Sequence, residues 1–204
     1  MSSDSNRYLK TEAIILNSYN FSDSDRLYNV FSKEYGKIVC IGKGVRKLKS
    51  RRGSLLDTLN LVNLNLYKKN SFYYISDLNL VNNFNLLKNN LTLSSWAFYI
   101  MESVSLFSVE EDYSFDVFEN TKKVLNQLSK KPSKRIVYAF LKELIVYQGF
   151  WDPSYYIKFP YLKDIQSKKE VSTENQKSID LFFSTKIEEI TEKKLNSVLL
   201  ISSL

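Results

Sequence analysis

The sequence predicts an α+β chain, with a five-stranded barrel at its N-terminal end and a helical bundle after it. Three observations carry that expectation. Up to Val81 the apolar residues alternate or gather in short β-branched runs broken by turn residues. Beyond Val81 they recur at helical spacing. With 44% hydrophobic and 14% aromatic residues, 204 residues can bury a substantial core.

The first strand is expected from Tyr8 to Ser18, around Ile14, Ile15 and Leu16, with a polar turn over Asn20-Phe21-Ser22-Asp23-Ser24-Asp25. Arg26 to Phe31 alternates moderately. Glu34-Tyr35-Gly36-Lys37 reads as a tight turn in which Gly36 takes a positive φ, and it hands the chain to a strand over Ile38 to Ile41. Leu59 to Lys68 puts Val62, Leu64 and Leu66 on one face and Asn63, Asn65 and Tyr67 on the other. Lys68-Lys69-Asn70-Ser71 turns into a last strand from Phe72 towards Leu80. Five short strands within about 75 residues fit a small closed barrel, for which the OB-fold is the natural five-stranded candidate.

Helices follow. Asn83 to Leu93 carries Phe84, Leu86, Leu87 and Leu91 at near-helical spacing, and Ser94 or Ser95 is placed to cap a second helix with Trp96, Ile100, Met101, Val104 and Phe107. Ser114 is the expected cap of a third, with Phe118, Leu125 and Leu128 in one stripe. Ser133 is the expected cap of a fourth, the best amphipathic pattern in the chain, over Ile136, Val137, Phe140, Leu141, Leu144 and Ile145. These stripes read as core. Gly149 stops the fourth helix, Pro153 and Pro160 bound an irregular aromatic segment, Lys163 to Gln176 reads as a charged loop, and a last helix is expected from about Ser178 to Leu200, with Ile179, Phe182, Phe183, Ile187, Ile190, Leu195 and Leu199 as its apolar positions. The domain boundaries are set at 1–81 for the barrel, 82–150 for the helical domain and 151–204 for an aromatic segment, loop and C-terminal helix packing on it.

Charge is concentrated rather than spread. Lys43, Arg46, Lys47, Lys49, Arg51 and Arg52 put six positive charges in ten residues. From Lys37 to Leu56 there are seven bases and no acid, so the net charge of +7 leaves the rest of the chain neutral. A run this dense repels itself unless a polyanion neutralises it, and polyphosphate rewards it by releasing condensed counterions. Gly42, Gly44 and Gly53 punctuate the run, so its backbone can approach a ligand closely. The expected phosphate contacts are Lys43, Arg46, Lys47, Lys49, Arg51 and Arg52, with Lys37 and Lys68 at the edges. Arginine forks two bonds onto phosphate, so the three arginines should matter most per residue. Tyr28, Tyr35, Tyr67, Phe72 and Tyr73 are candidates to stack on unpaired bases. Arg26, set beside Asp23 and Asp25, is assigned to a local ion pair.

There is no histidine and one cysteine, Cys40, in an apolar strand. That removes Ser-His and Cys-His nucleophile pairs, a histidine base, the usual zinc ligand sets and a disulfide framework. No glycine-rich phosphate loop stands out, so no cofactor, no metal and no enzymatic activity are expected. The polar start Met1–Asn6 and the absence of a long apolar run read as neither secreted nor membrane-spanning, with a cytoplasmic, nucleoid-associated location expected.

Residues Thr11 to Leu91 resemble the N-terminal domain of the RecO recombination mediators. The resemblance rests on Thr11-Glu12-Ala13-Ile14-Ile15-Leu16, Ser24-Asp25-Arg26-Leu27, Glu34-Tyr35-Gly36-Lys37 and Lys43-Gly44-Val45-Arg46-Lys47 with Lys49-Ser50, in that order. Gly149-Phe150-Trp151-Asp152-Pro153 resembles the family's segment at the end of its helical bundle. The resemblance implies binding of single- and double-stranded DNA, strand annealing, and RecA loading together with RecR on DNA coated by single-stranded-DNA-binding protein, whose C-terminal tail would be a further partner. For the rim of a pocket for that acidic tail the helical domain offers Lys122, Lys123, Lys134, Arg135 and Lys142. Many members carry a Cys-x-x-Cys zinc site after the Gly-Phe-x-x-Pro segment. Here that stretch has no cysteine, and Trp151, Tyr155, Tyr156, Phe159 and Tyr161 are expected to replace the metal with an apolar cluster. Beside this reading stand an RNA-binding OB-fold module, a protein-interaction scaffold, and a basic anchor for anionic lipid.

Overall fold

The computed structural model describes residues 8–47, 50–109, 115–167 and 170–197. Five strands form first: β1 (Tyr8–Asn20), β2 (Arg26–Ser32), β3 (Gly36–Gly42), β4 (Leu61–Lys69) and β5 (Phe72–Asn82). A single helical turn, α1 (Arg52–Leu55), interrupts them between β3 and β4. The strands close in the order β1-β2-β3-β5-β4. Every pairing is antiparallel except that of β3 with β5, through Cys40 with Tyr73 and Ile41 with Tyr74. This is the OB-fold arrangement that the spacing of apolar runs predicts.

Closure depends on the length of β1. Its first half pairs with β4 and its second half with β2, and a bulge between Ile15 and Asn17 lets one strand turn the corner between two neighbours. Inward alternation fills the barrel with Ala13, Ile15, Tyr28, Val30, Ile38, Cys40, Val62, Leu64, Leu66, Tyr73 and Ile75. Cys40 is fully enclosed, and burial pushes its thiol up to about 12. The unbroken run Ile14-Ile15-Leu16 is buried on both faces of β1. Phe31 on β2 is enclosed as well, its ring 5.7 Å from that of Phe118. Gly36, at φ +60, makes the β2–β3 turn as expected.

Within the described residues, those up to Phe84 with Ser108–Phe118 make one compact unit, and Asn85–Phe107 with Glu119–Leu204 make another. The helices are α2 (Asn85–Lys88), α3 (Leu91–Phe107), α4 (Phe115–Lys130), α5 (Lys134–Tyr147), α6 (Tyr155–Lys158) and α7 (Thr173–Thr191), with a 3-10 helix over Pro160–Ile165. Four start or stop positions differ from the sequence reading. Asn83 to Leu93 is not one helix: α2 is a single turn, and Leu86 and Leu91 stay exposed. The second helix starts at Leu91 because the Asn90 side chain accepts the Leu93 N–H (3.0 Å), while the Ser94 and Ser95 hydroxyls donate to the carbonyls of Leu91 and Thr92. The charged stretch before α7 is not a simple loop: Ile165 is buried in the 3-10 helix, and Ser172 caps α7 by accepting the Asn175 N–H. That helix stops at Thr191, with Glu192 in the left-handed region, nine residues before the expected end. Ser133 does precede α5, but its hydroxyl donates to Glu170 (2.9 Å) instead of capping. The Ser114 cap and Leu199 lie outside the described residues.

In the second unit α5 buries Val137, Tyr138, Phe140, Leu141, Leu144 and Ile145, the predicted stripe with Tyr138 in place of Ile136. Lys134 meets Asp180 of α7 at 2.6 Å, and the Tyr138 hydroxyl lies 2.8 Å from the same carboxylate. Burial, then the Asp180 charge, drives the Tyr138 pKa far up, so the phenol stays a donor. Glu102 of α3 accepts from the backbone N–H groups of Asn196 and Ser197 at 2.9 and 2.7 Å, tying down the chain beyond α7. Among the described residues no helix is long and apolar enough to cross a membrane.

Candidate nucleic-acid interface

The basic run leaves the barrel at Gly42, the end of β3, and is held down at several points. The Gly44 N–H donates to Asp25 Oδ1 (2.8 Å) and the Arg46 N–H to the Ser24 carbonyl (3.0 Å), so the turn between β1 and β2 grips the start of the loop. Asp25 is half-buried, and the Gly44 bond, ahead of smaller help from Ser24 and Lys43, holds its carboxyl below the usual range. Val45 and Leu56 turn inward and complete the barrel core at 6% and 2% exposure. Gly53 passes against the loop's own start: a Cβ there would lie 2.6 Å from the Val45 carbonyl oxygen, which only glycine avoids. After α1, the buried Asn60 side chain donates to the Leu55 carbonyl (3.0 Å). Its backbone carbonyl accepts the Ile15 N–H at the β1 bulge. A dense charge run therefore sits on a pinned backbone.

Between these anchors lies an open groove of about 730 Å³ lined by Ser24, Asp25, Lys43, Gly44, Lys47, Ser50, Arg51 and Arg52. It gathers four of the eight cations singled out in the sequence, all exposed. Lys43 places its ammonium 5.2 Å from the Tyr74 ring centroid, and Arg52 donates to the Ser76 carbonyl (3.3 Å), so the loop borders β5. Arg46 does not line the groove. It is exposed, but its guanidinium donates to the Ser22 carbonyl at 2.6 Å and braces the loop. Lys49 lies outside the described residues. Lys37 sits beside the opposite hairpin of β3, six residues before Lys43 and so roughly 20 Å away along an extended strand. Lys68, at the end of β4, is engaged with Tyr73 through its hydroxyl (3.0 Å) and ring (4.6 Å). A second recess of about 460 Å³ on the same unit is lined by both Lys10 and Lys33 and Glu12 and Glu34, so its charges balance, whereas the first sets four cations against the one carboxylate of Asp25.

Arg26 does not pair with its acidic neighbours as expected: its Nε donates to the Asn20 side chain (3.1 Å), because Asp25 is turned to the loop. Of the stacking candidates, Tyr28 and Tyr73 are inward members of the period-2 pattern and buried, and Tyr35 packs against the barrel core. Tyr67 and Phe72 face outward. Sequence reasoning missed Tyr74, which the β4–β5 register sets directly opposite Tyr67, and Tyr8, opposite Tyr67 on β1. In the helical unit Lys134 is taken up by Asp180, Lys122 meets Glu119 at 3.0 Å, and Lys142 lies over the rings of Trp151 and Tyr156. Lys123 is exposed.

An OB-fold barrel carrying a pinned loop whose groove gathers four cations around the single carboxylate of Asp25 defines the class of protein by fold and charge. The comparisons narrow it. Residues 6–84 match the family model described as Recombination protein O N terminal. The chain is 30% identical over 134 residues to the DNA repair protein RecO of Caldanaerobacter subterraneus subsp. tengcongensis, covering 66% of this chain and 54% of that protein. It is 31% identical over 133 residues to the DNA repair protein RecO of Syntrophobacter fumaroxidans, covering 65% and 53%. A protein of the same name from Mycoplasma mycoides is 28% identical over 123 residues, covering 59% and 49%. The resemblance to the RecO family is thereby established, over the barrel by the family model and over about two thirds of the chain by its relatives. The chain spans about half the length of the curated relatives it matches.

Proposed function

We propose that this chain is a non-enzymatic, DNA-binding recombination mediator of RecO type that acts in DNA repair. The observation that carries this reading is the groove in which Lys43, Lys47, Arg51 and Arg52 converge on a loop fixed by Asp25. Contacts of that kind hold phosphate and carry no sequence information, so binding is expected to single- and double-stranded DNA of any sequence. Annealing follows without bond-making chemistry, because neutralising the phosphates of two strands lowers their repulsion and lets bases pair. RecR, the C-terminal tail of single-stranded-DNA-binding protein and, indirectly, RecA are the partners that the family resemblance brings to this reading. For the acidic tail, the exposed Lys123 and the ring-bound Lys142 support the rim better than Lys134, which already holds a carboxylate.

The test is fluorescence anisotropy of a labelled single-stranded oligonucleotide over a salt series, for wild type and for Lys43, Arg51 and Arg52 changed together to Glu. The variant should lose affinity, and the magnitude of its log–log salt slope should drop by about 2, from three contacts at about 0.7 each. Unchanged binding would remove the groove as the DNA site.

A further inference from the structure

We propose that Tyr8, Tyr67 and Tyr74 form a base-stacking strip that gives the protein a preference for unpaired DNA, separate from the phosphate-holding groove at its end. The three rings sit at matched register on three adjacent strands, Tyr8 opposite Tyr67 and Tyr67 opposite Tyr74. Their centroids step across the outer face of the barrel by 6.5 and 4.9 Å, with Tyr67 and Tyr74 parallel to within 12°. Cross-strand pairing explains Tyr67 on Tyr74. It does not explain the exposure of Tyr8, which pairs across to Tyr67 yet at 74% exposed adds an aromatic face that folding leaves in water. Nor does it explain why the strip ends beneath the Lys43 ammonium.

Charge complementarity identifies the occupant. The groove cations attract a phosphate backbone, and rings beside a basic track offer π faces to bases of any identity. Duplex DNA hides its base faces in the stack, whereas a single strand presents them. The groove then serves either form of DNA while the strip rewards only the unpaired one. Lys43 belongs to both surfaces, its ammonium over Tyr74 being within reach of the phosphate of a stacked nucleotide.

This inference rests on the groove binding DNA, and the experiment separates the two. Full-length protein is titrated with a thymidine oligonucleotide and with an abasic oligonucleotide of equal length, which keeps the phosphates and lacks the bases. Wild type should prefer the thymidine strand by at least about tenfold. Tyr8→Leu, Tyr67→Leu and Tyr74→Leu together should abolish the preference and leave the salt slope unchanged, while Phe at all three positions should retain it. Tyr8→Ala, at a site too exposed to govern folding, should alone cost at least about fivefold on the thymidine strand and nothing on the abasic one; it decides the matter if the triple Leu variant does not fold. A preference that survives both the Leu triple and Tyr8→Ala overturns the strip. Equal wild-type affinity for the two strands overturns it while leaving the groove reading intact. Binding of neither strand overturns the groove reading, and the strip with it.

Discussion

Asp25 places a negative charge in the lining of a groove otherwise rich in cations. By Coulomb's law alone, removing it should tighten the hold on DNA. The geometry argues the reverse, because this carboxylate accepts the Gly44 N–H and fixes where the basic run begins. We expect Asp25→Ala to weaken single-strand binding several-fold despite the added net positive charge, read by anisotropy at fixed salt; tighter binding would show that the anchor is irrelevant. The hydrogen bond from Gly44 holds the Asp25 carboxyl below the usual carboxylate range. A depressed carboxyl stabilises the folded form above its unfolded pKa, and that contribution is lost as pH falls through the folded value. With no histidine in the chain, no residue type on the loop has an ordinary pKa between 5 and 8, so affinity should be flat across that window. Ser24-Asp25-Arg26-Leu27 was legible as a motif, but its purpose was not. Sequence proximity paired Asp25 with Arg26, and only the fold brings Gly44, nineteen residues on, into hydrogen-bonding range.

Among the elements, the aromatic segment between α5 and α7 shows how much a composition can reveal. Trp151, Tyr155, Tyr156, Phe159 and Tyr161 do assemble, with Trp151 edge-on to Tyr155 at 5.5 Å and Phe159 at 5.9 Å from Tyr161. Phe182 and Phe183 of α7 close the cluster from some thirty residues further on: Phe182 lies 5.2 Å from Phe159 and Phe183 lies 6.5 Å from Trp151. Apolar spacing marked both phenylalanines as core, but no local pattern says which surface they meet. Lys142 and Lys186 cover the rings as cations, at 5.7 Å over Trp151 and 5.4 Å over Tyr155. If this cluster replaces a structural metal, chelator treatment should leave the melting temperature unchanged, whereas Phe182→Ala should cost about 3 kcal/mol or more in denaturant unfolding. A melting temperature that falls with chelator would sink the replacement. Strands were read closely because period-2 alternation survives in a half-buried sheet. Helix starts were misplaced because Asn90 and Ser172 cap through local side-chain bonds that compete with equally plausible serines nearby.

For the whole molecule, the net charge of +7 matters less than its placement. The basic run carries the excess and the remainder balances. In the helical unit the balance is local: Lys134 faces Asp180, Lys122 faces Glu119, and Lys186 faces Glu189 at 2.5 Å. Such pairs offer little net charge to a polyanion, so phosphate contacts should be few and confined to the loop. Lys43, Lys47, Arg51 and Arg52 line the groove, and Lys49, outside the described residues, stands beside them in sequence. Four or five contacts at about 0.7 each set a log–log salt slope of roughly −3 to −3.5 for single strands, and at about 0.9 each one of roughly −3.5 to −4.5 for duplex. A slope near −7 on single strands would require about ten contacts, more than the loop can supply, and would move part of the DNA path onto the helical unit. Slopes measured on both substrates thus test the confinement of charge directly, and the variant with Glu at positions 43, 51 and 52 should flatten both by a similar number of contacts.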